Sequence, residues 1–377
     1  MLGLLFIMNR RILLQMGLGT AWATPLLAAW NRQDPLDLDK AADVLARATA
    51  SGQVGAAALH VRQGDFEFSK GFGEAPDADA LFVLASISKP ISVAVLMTLY
   101  DQGEFQLDDP AHKFLPEFSG GGRDRMTIRQ LLTHISGLPD QLPENETLRK
   151  RQAGLSEFVA GAVRTPLLFE PGSRYEYSSM AILLATEIAR RISKTELPDL
   201  FKTAIFDPLE MNRTALGLGP FPIESTMRCQ VENAAPESGA GDPLAKTWDW
   251  NSPYWRAFGA PWGGVHGSAP DLARFFAEFL DPQGKALRPK TARWMIQNQN
   301  PEGLPPRGLG FAIGAAAGSP GCSEATFGHT GATGTLAWAD PQTKTICVVL
   351  TTLPGRAADP HPRQLAADLV AQTVVSK

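Results

Sequence analysis

Leu84-Ala85-Ser86-Ile87-Ser88-Lys89-Pro90 places a serine and a lysine three residues apart. At that spacing the two side chains share one face of a helix. The start of a helix offers free backbone N–H groups and a partial positive charge. A serine hydroxyl is a poor nucleophile until something takes its proton, and a lysine in a water-poor pocket can do so. Pro90 suits a first helical turn, where no N–H is missed. Ile91, Val93, Val95, Leu96 and Leu99 then continue the helix with apolar residues on most sides, so it is predicted to be central and buried. Ser-x-x-Lys alone is common by chance in a chain of this length, so its meaning rests on what accompanies it.

Two further stretches accompany it. Pro171-Gly172-Ser173-Arg174-Tyr175-Glu176-Tyr177-Ser178-Ser179 is a turn that delivers Tyr177 to the start of a second helical pattern, Ala181 to Ile192. A phenol beside a lysine can act as general base and then as acid to a leaving group. Phe327-Gly328-His329-Thr330-Gly331-Ala332-Thr333-Gly334 flanks His-Thr with glycines. Such glycines let a substrate backbone approach a strand edge closely, and the N–H after Gly331 is placed to donate to a developing oxyanion.

In the order Ser-x-x-Lys, Tyr-Ser-x, His-Thr-Gly, the chain resembles the serine β-lactamase-like, penicillin-recognising hydrolases. These include class C β-lactamases, D-Ala-D-Ala carboxypeptidases, D-aminopeptidases and related serine esterases. Supporting matches are Gly103 to Pro110, Leu131 to Pro139, Pro208 to Met211, Gly263 to Ser268 and Asp271 to Phe275. The resemblance covers residues 38–355. It implies a mixed α/β (α+β) fold: an antiparallel sheet flanked by helices, built from both termini, with an inserted all-α domain and the site between them. It also implies roles. Ser86 is the acylated nucleophile, Lys89 its proton partner and Tyr177 the general base. The N–H groups of Ser86 and Ala332 form the oxyanion hole, and Ser179, His329, Thr330 and Gly331 bind substrate. No metal or organic cofactor is called for. His134 and His266 read as structural.

Two positions depart from the family pattern. Ser179 stands where the family usually has Asn, and is shorter with fewer donors. His329 stands where the β-lactamases usually have Lys. With an ordinary histidine pKa of about 6.5, His329 is expected to gain a proton as pH falls from about 8 to 6. Substrates bearing a carboxylate should then bind better, and neutral esters should be handled at least as well at pH 7. The implied activity is an esterase-type acyl hydrolase. The alternatives are a D-Ala-D-Ala carboxypeptidase or D-aminopeptidase acting on cell-wall peptides, or a catalytically silent peptide-binding relative. The partner is a small-molecule ester, amide or D-amino-acid peptide.

Composition agrees with a soluble enzyme. The 377 residues are 44% apolar and 20% charged, enough for a large core. Thirty-five basic against 39 acidic side chains leave a net charge of −4, which argues against nucleic acid as a partner. Cys229, Cys322 and Cys347 show no metal or redox spacing; free thiols are expected, with a Cys322–Cys347 bridge as the alternative. Asn9-Arg10-Arg11, the weakly apolar Ile12 to Trp30 and the small residues near Ala21 read as a twin-arginine-like export signal over 1–30. Met8 is an alternative start, and an uncleaved anchor is the lesser reading. The mature chain is thus expected to be periplasmic or extracellular, without stable membrane insertion. Residues 31–377 form the hydrolase domain, with a mixed part from 31–95 and 290–377 and a helical part over 96–289. Strands are predicted at Gly55 to Val61, Phe66 to Phe72, Gly308 to Gly314, Thr335 to Ala339 and Thr345 to Thr352. A helix is predicted over Leu38 to Ala50. Asn233 to Pro261 reads as a long loop over the site.

Overall fold

The computed structural model describes residues 37–375 except 236, 237, 241 and 243. The proposed export signal lies outside the described residues. In chain order the first elements are α1 (Asp39–Ala50), β1 (Ala56–Gln63), β2 (Phe66–Gly73), β3 (Phe82–Val83) and α2 (Ser88–Gln102). The middle of the chain gives α3 (Ile128–Leu132), α4 (Asn145–Lys150), α5 (Leu155–Arg164), α6 (Ser179–Ser193), α7 (Leu197–Phe201), β4 (Thr214–Leu216), α8 (Pro253–Phe258), β5 (Val265–Gly267), α9 (Ala269–Leu280) and α10 (Pro289–Met295). The end gives β6 (Ala312–Ile313), β7 (Phe327–Gly331), β8 (Thr335–Asp340), β9 (Thr345–Thr351) and α11 (Pro362–Val375).

Strands from both ends build one antiparallel sheet in the order β2-β1-β9-β8-β7-β6. Alternate side chains on a strand point to opposite faces. Ala57, Leu59 and Val61 therefore join Cys347, Val349 and Trp338 in a core closed by Leu45 of α1 and Val370 of α11. Ala56, Ala58, Val348, Leu350 and Ala337 face the larger core, with Phe275, Phe276 and Phe279 of α9. With both faces covered, β9 is apolar at nearly every position (TICVVLT) rather than alternating, and all of it is buried. Every residue of α2 from Ser88 to Leu99 is buried, and α2 packs against α6. A second, small sheet has the order β3-β5-β4, and its strand β3 lies just before the Ser86 turn in the chain. Its strands are two or three residues long, too short for periodicity to show in sequence.

Two expectations need correction. The predicted strand Gly308 to Gly314 is a strand only at Ala312–Ile313. Its other amides are used elsewhere: Leu309 donates to Met295, Gly310 to Leu132, and Gly308 turns back on Phe311. The loop Asn233 to Pro261 is interrupted by α8, capped by the Ser252 hydroxyl. All three cysteines are free, as expected, and the alternative Cys322–Cys347 bridge is absent. Among the described residues no helix is long and apolar enough to cross a membrane.

Candidate active site

Ser86 sits in a short 3-10 turn, Ala85–Ile87, that leads into α2. Ala85, just before it, has φ +48°. A left-handed conformation costs a non-glycine residue about 1–2 kcal/mol, so the surroundings must enforce it. They do so from two sides. The Leu84 N–H donates to the Val265 carbonyl at 2.9 Å, and the Ser88 hydroxyl accepts from the Val265 N–H at 3.0 Å. From the β7–β8 hairpin, Thr333 donates to the Val83 carbonyl at 2.7 Å and Thr335 to the Leu84 carbonyl at 2.8 Å. Gly331 is needed there, because a Cβ at that position would overlap the Leu84 carbonyl and the Thr335 hydroxyl. Arg363, from α11, clamps the same strand end by donating to the Gly331 carbonyl at 2.7 Å.

Lys89 is 1% exposed. Its Nζ donates to Ser86 Oγ and to the Trp262 carbonyl, each at 3.0 Å, so both bonds go to neutral oxygens. The Nζ lies 4.7 Å from the Tyr177 ring centroid. Tyr177 is fixed by the residues around it. The His134 carbonyl accepts from the Glu176 N–H at 2.9 Å, and His134 Nδ1 accepts from the Ser178 N–H at 3.2 Å. His134 thus brackets Tyr177, with ring centroids 4.6 Å apart. It is the structural residue expected, and its task is to hold the tyrosine turn. His266 lies in β5, where burial pushes its pKa down to about 3.

His329 is where the sequence reading is overturned. Its Nδ1 lies 2.7 Å from the Thr330 carbonyl. A carbonyl only accepts, so Nδ1 carries the hydrogen and Nε2 is left as acceptor. Arg307 Nη2 donates to it at 3.1 Å. Burial first, and then the charges of Arg307 and Lys89, hold the His329 pKa well below the ordinary histidine value. His329 therefore stays neutral through the range in which it was expected to titrate. Arg307, one of three arginines lining the cavity with Arg356 and Arg363, is the cation in contact with His329; it is 8% exposed and lies 5.9 Å from the Tyr177 ring centroid. Burial lowers its pKa, but an arginine starts so high that it remains charged. Its Nε is buried without a hydrogen-bond partner among the described residues.

Ser179 is held by an aspartate. Its hydroxyl donates to Asp140 Oδ1 at 2.6 Å, and its N–H donates to the same oxygen at 2.9 Å. Sequence reading missed both Asp140 and Arg307. Asp140 directly follows the matched stretch Leu131 to Pro139, a signal that was present. Arg307 sits in an irregular Pro-Pro-Arg-Gly turn that matches nothing.

Ser86, Tyr177, Arg307, His329, Thr330, Gly331 and Ala332 line one cavity of about 570 Å³. A second, of about 130 Å³, shares Ser86 and Ala332 and adds Asp140, Ser179, Trp255 and Trp262. Trp250, from the 233–261 segment, borders both.

The profile of the Beta-lactamase family matches residues 41–372. The chain belongs to that family. It is a serine hydrolase of the beta-lactamase type. The family chain is 29% identical over 313 residues to esterase EstB of Burkholderia gladioli, covering 71% of this chain and 78% of that one. It is 30% identical over 167 residues to penicillin-binding protein 4* of Bacillus subtilis, covering 41% of this chain and 36% of that protein. Among solved structures it resembles the D-amino acid amidase of Ochrobactrum anthropi at TM-score 0.72, with 23% identity, covering 90% of this chain and 100% of that one. It resembles the hydrolase EstCE1 at TM-score 0.72, with 21% identity, covering 89% and 98%. At those identities the two structures show the shared fold.

Proposed function

We propose that the chain is an exported esterase-type acyl hydrolase that works through an acyl-enzyme on Ser86. The observation that carries this is the 3.0 Å bond from buried Lys89 to Ser86 Oγ, with Ser86 lining one cavity together with Tyr177 and Ala332. Ser86 Oγ attacks the ester carbonyl carbon, and its proton passes to the Lys89–Tyr177 pair. The N–H groups of Ser86 and Ala332 receive the oxyanion. The bond to the leaving oxygen breaks, and Tyr177 returns the proton to that oxygen. Water, losing a proton to the same pair, then cleaves the acyl-serine and restores the hydroxyl. His329, Thr330 and Gly331 offer the strand edge along which substrate lies. The resemblance to esterase EstB favours a small-molecule ester as substrate.

A second reading, a peptidase acting on D-amino-acid peptides with a free carboxylate, is favoured by one observation. Arg307 is a buried cation in the cavity wall. Turnover of a neutral ester panel beside a D-Ala-D-Ala peptide, with Ser86→Ala as control, tests both readings. Ester turnover abolished in the variant supports the first. Peptide turnover without ester turnover replaces it with the second.

A further inference from the structure

Ser86 and Ala332 border two chambers of unequal size, about 570 and 130 Å³. Tyr177 lines only the larger. A group that protonates the leaving oxygen must stand on the leaving-group side. On the proposed mechanism, on which this inference rests, the leaving group therefore occupies the large chamber and the acyl chain the small one. The small chamber is lined by Trp250, Trp255 and Trp262. At about 30 Å³ for a group of water or methylene size, it holds about four such groups. Its lining also carries charge: the Asp140 carboxylate, and the Arg149 guanidinium stacked 4.1 Å from the Trp255 ring centroid. A longer alkyl chain would have to desolvate those charges.

Beyond Ser86 and Ala332, Trp250 and Ser238 line both chambers, and Trp250 is the large side chain of the two. It is 7% exposed, and its carbonyl accepts from Arg256 Nε at 2.6 Å. Arg256 is itself tied to Thr226 and Asn251, each at 2.9 Å. The partition is thus built into the fold. We propose that Trp250 is the specificity-determining residue of this hydrolase: it restricts the acyl group to roughly two to four carbons, while the other side accepts large leaving groups. Truncating Trp250 joins the chambers and admits longer chains.

The test is kcat/KM for p-nitrophenyl acetate, butanoate, hexanoate and octanoate with wild type, Trp250→Ala and Trp250→Phe. Wild type should fall at least tenfold from butanoate to octanoate. Trp250→Ala should bring octanoate level with butanoate or above it, and Trp250→Phe should fall between. If Trp250→Ala does not fold, the wild-type and Trp250→Phe profiles still decide. A wild-type profile that is flat or rises to octanoate overturns the proposal, as does a folded Trp250→Ala or Trp250→Phe whose profile parallels wild type. If no ester is turned over and Ser86 is never acylated, the underlying mechanism fails, an outcome distinct from a flat profile.

Discussion

The two walls of the cleft are held in different ways. On the sheet side, the β7–β8 hairpin fixes the backbone of the Ser86 turn: the Thr333 and Thr335 hydroxyls reach the Val83 and Leu84 carbonyls, and at Gly331 there is no room for a side chain. On the helical side, Tyr177 and Ser179 are positioned by single side chains, His134 and Asp140, and Arg307 approaches His329 from a separate turn. The first wall tolerates almost no change in shape. The second is held by individual side chains, and each wall carries one departure from the family pattern: His329 in β7 on the first, Ser179 at the start of α6 on the second.

The largest effect should come from the groups that span both walls. Lys89→Ala and Tyr177→Phe should each lower kcat/KM by roughly three to four orders of magnitude. The double variant should lose far less than the sum, since the groups act as one unit. Additive losses in steady-state kinetics would mean that the walls do not share a proton-transfer step. Next comes Gly331→Ala, which tests the rigid wall alone. The new methyl must displace Leu84 or Thr335, so turnover should drop about 100-fold with a clear loss of melting temperature, by the misplacement argument. Unchanged activity would show that the sheet wall yields after all.

Arg307 sharpens the comparison on the adjustable wall. Because His329 is held neutral, the ratio of kcat/KM for an ester with a terminal carboxylate to that for its neutral counterpart should stay flat from pH 8 to pH 6. Arg307→Leu removes both the fixed charge and the donor to His329 Nε2. The ratio should then fall several-fold at pH 8. It should stay low towards pH 6, because burial, the largest cause, and Lys89 still hold the His329 pKa down. A pH-dependent ratio in wild type would return the discriminating charge to His329. The smallest effect belongs to Ser88→Ala. Ser88 sits beside the nucleophile, but its hydroxyl serves the buried Val265 N–H. Stability should fall by about 1–3 kcal/mol in chemical denaturation, with activity per folded molecule within a few-fold of wild type.

Legibility in the sequence followed the same division. The sheet wall is local: Phe327 to Gly334 is one stretch, its glycines mark close backbone approach, and the long strands β1, β8 and β9 were readable from their apolar runs, β2 from its turn and its alternating phenylalanines. The α2 helix announced itself by being apolar on most sides. What stayed hidden was relational. Nothing near Arg307 connects it to His329, 22 residues on, or to His134, 173 residues earlier, and so the protonation state of His329 could not be read from its type. Asp140 and Ser179 are 39 residues apart, and a carboxylate turned onto a serine leaves no periodic trace. The Gly308 to Gly314 segment misled because a strand-like run can direct its hydrogen bonds to neighbouring helices and turns.

The central claim is that Ser86 carries the acyl group and that Lys89 and Tyr177 serve it. Intact-protein mass spectrometry after rapid mixing with an activated ester, followed by peptide mapping, addresses it directly. One acyl adduct per chain is expected, mapping to Ser86 and absent from Ser86→Ala, and it should form slowly in Lys89→Ala. An adduct on another residue, or one that persists undiminished in Ser86→Ala, would contradict the account.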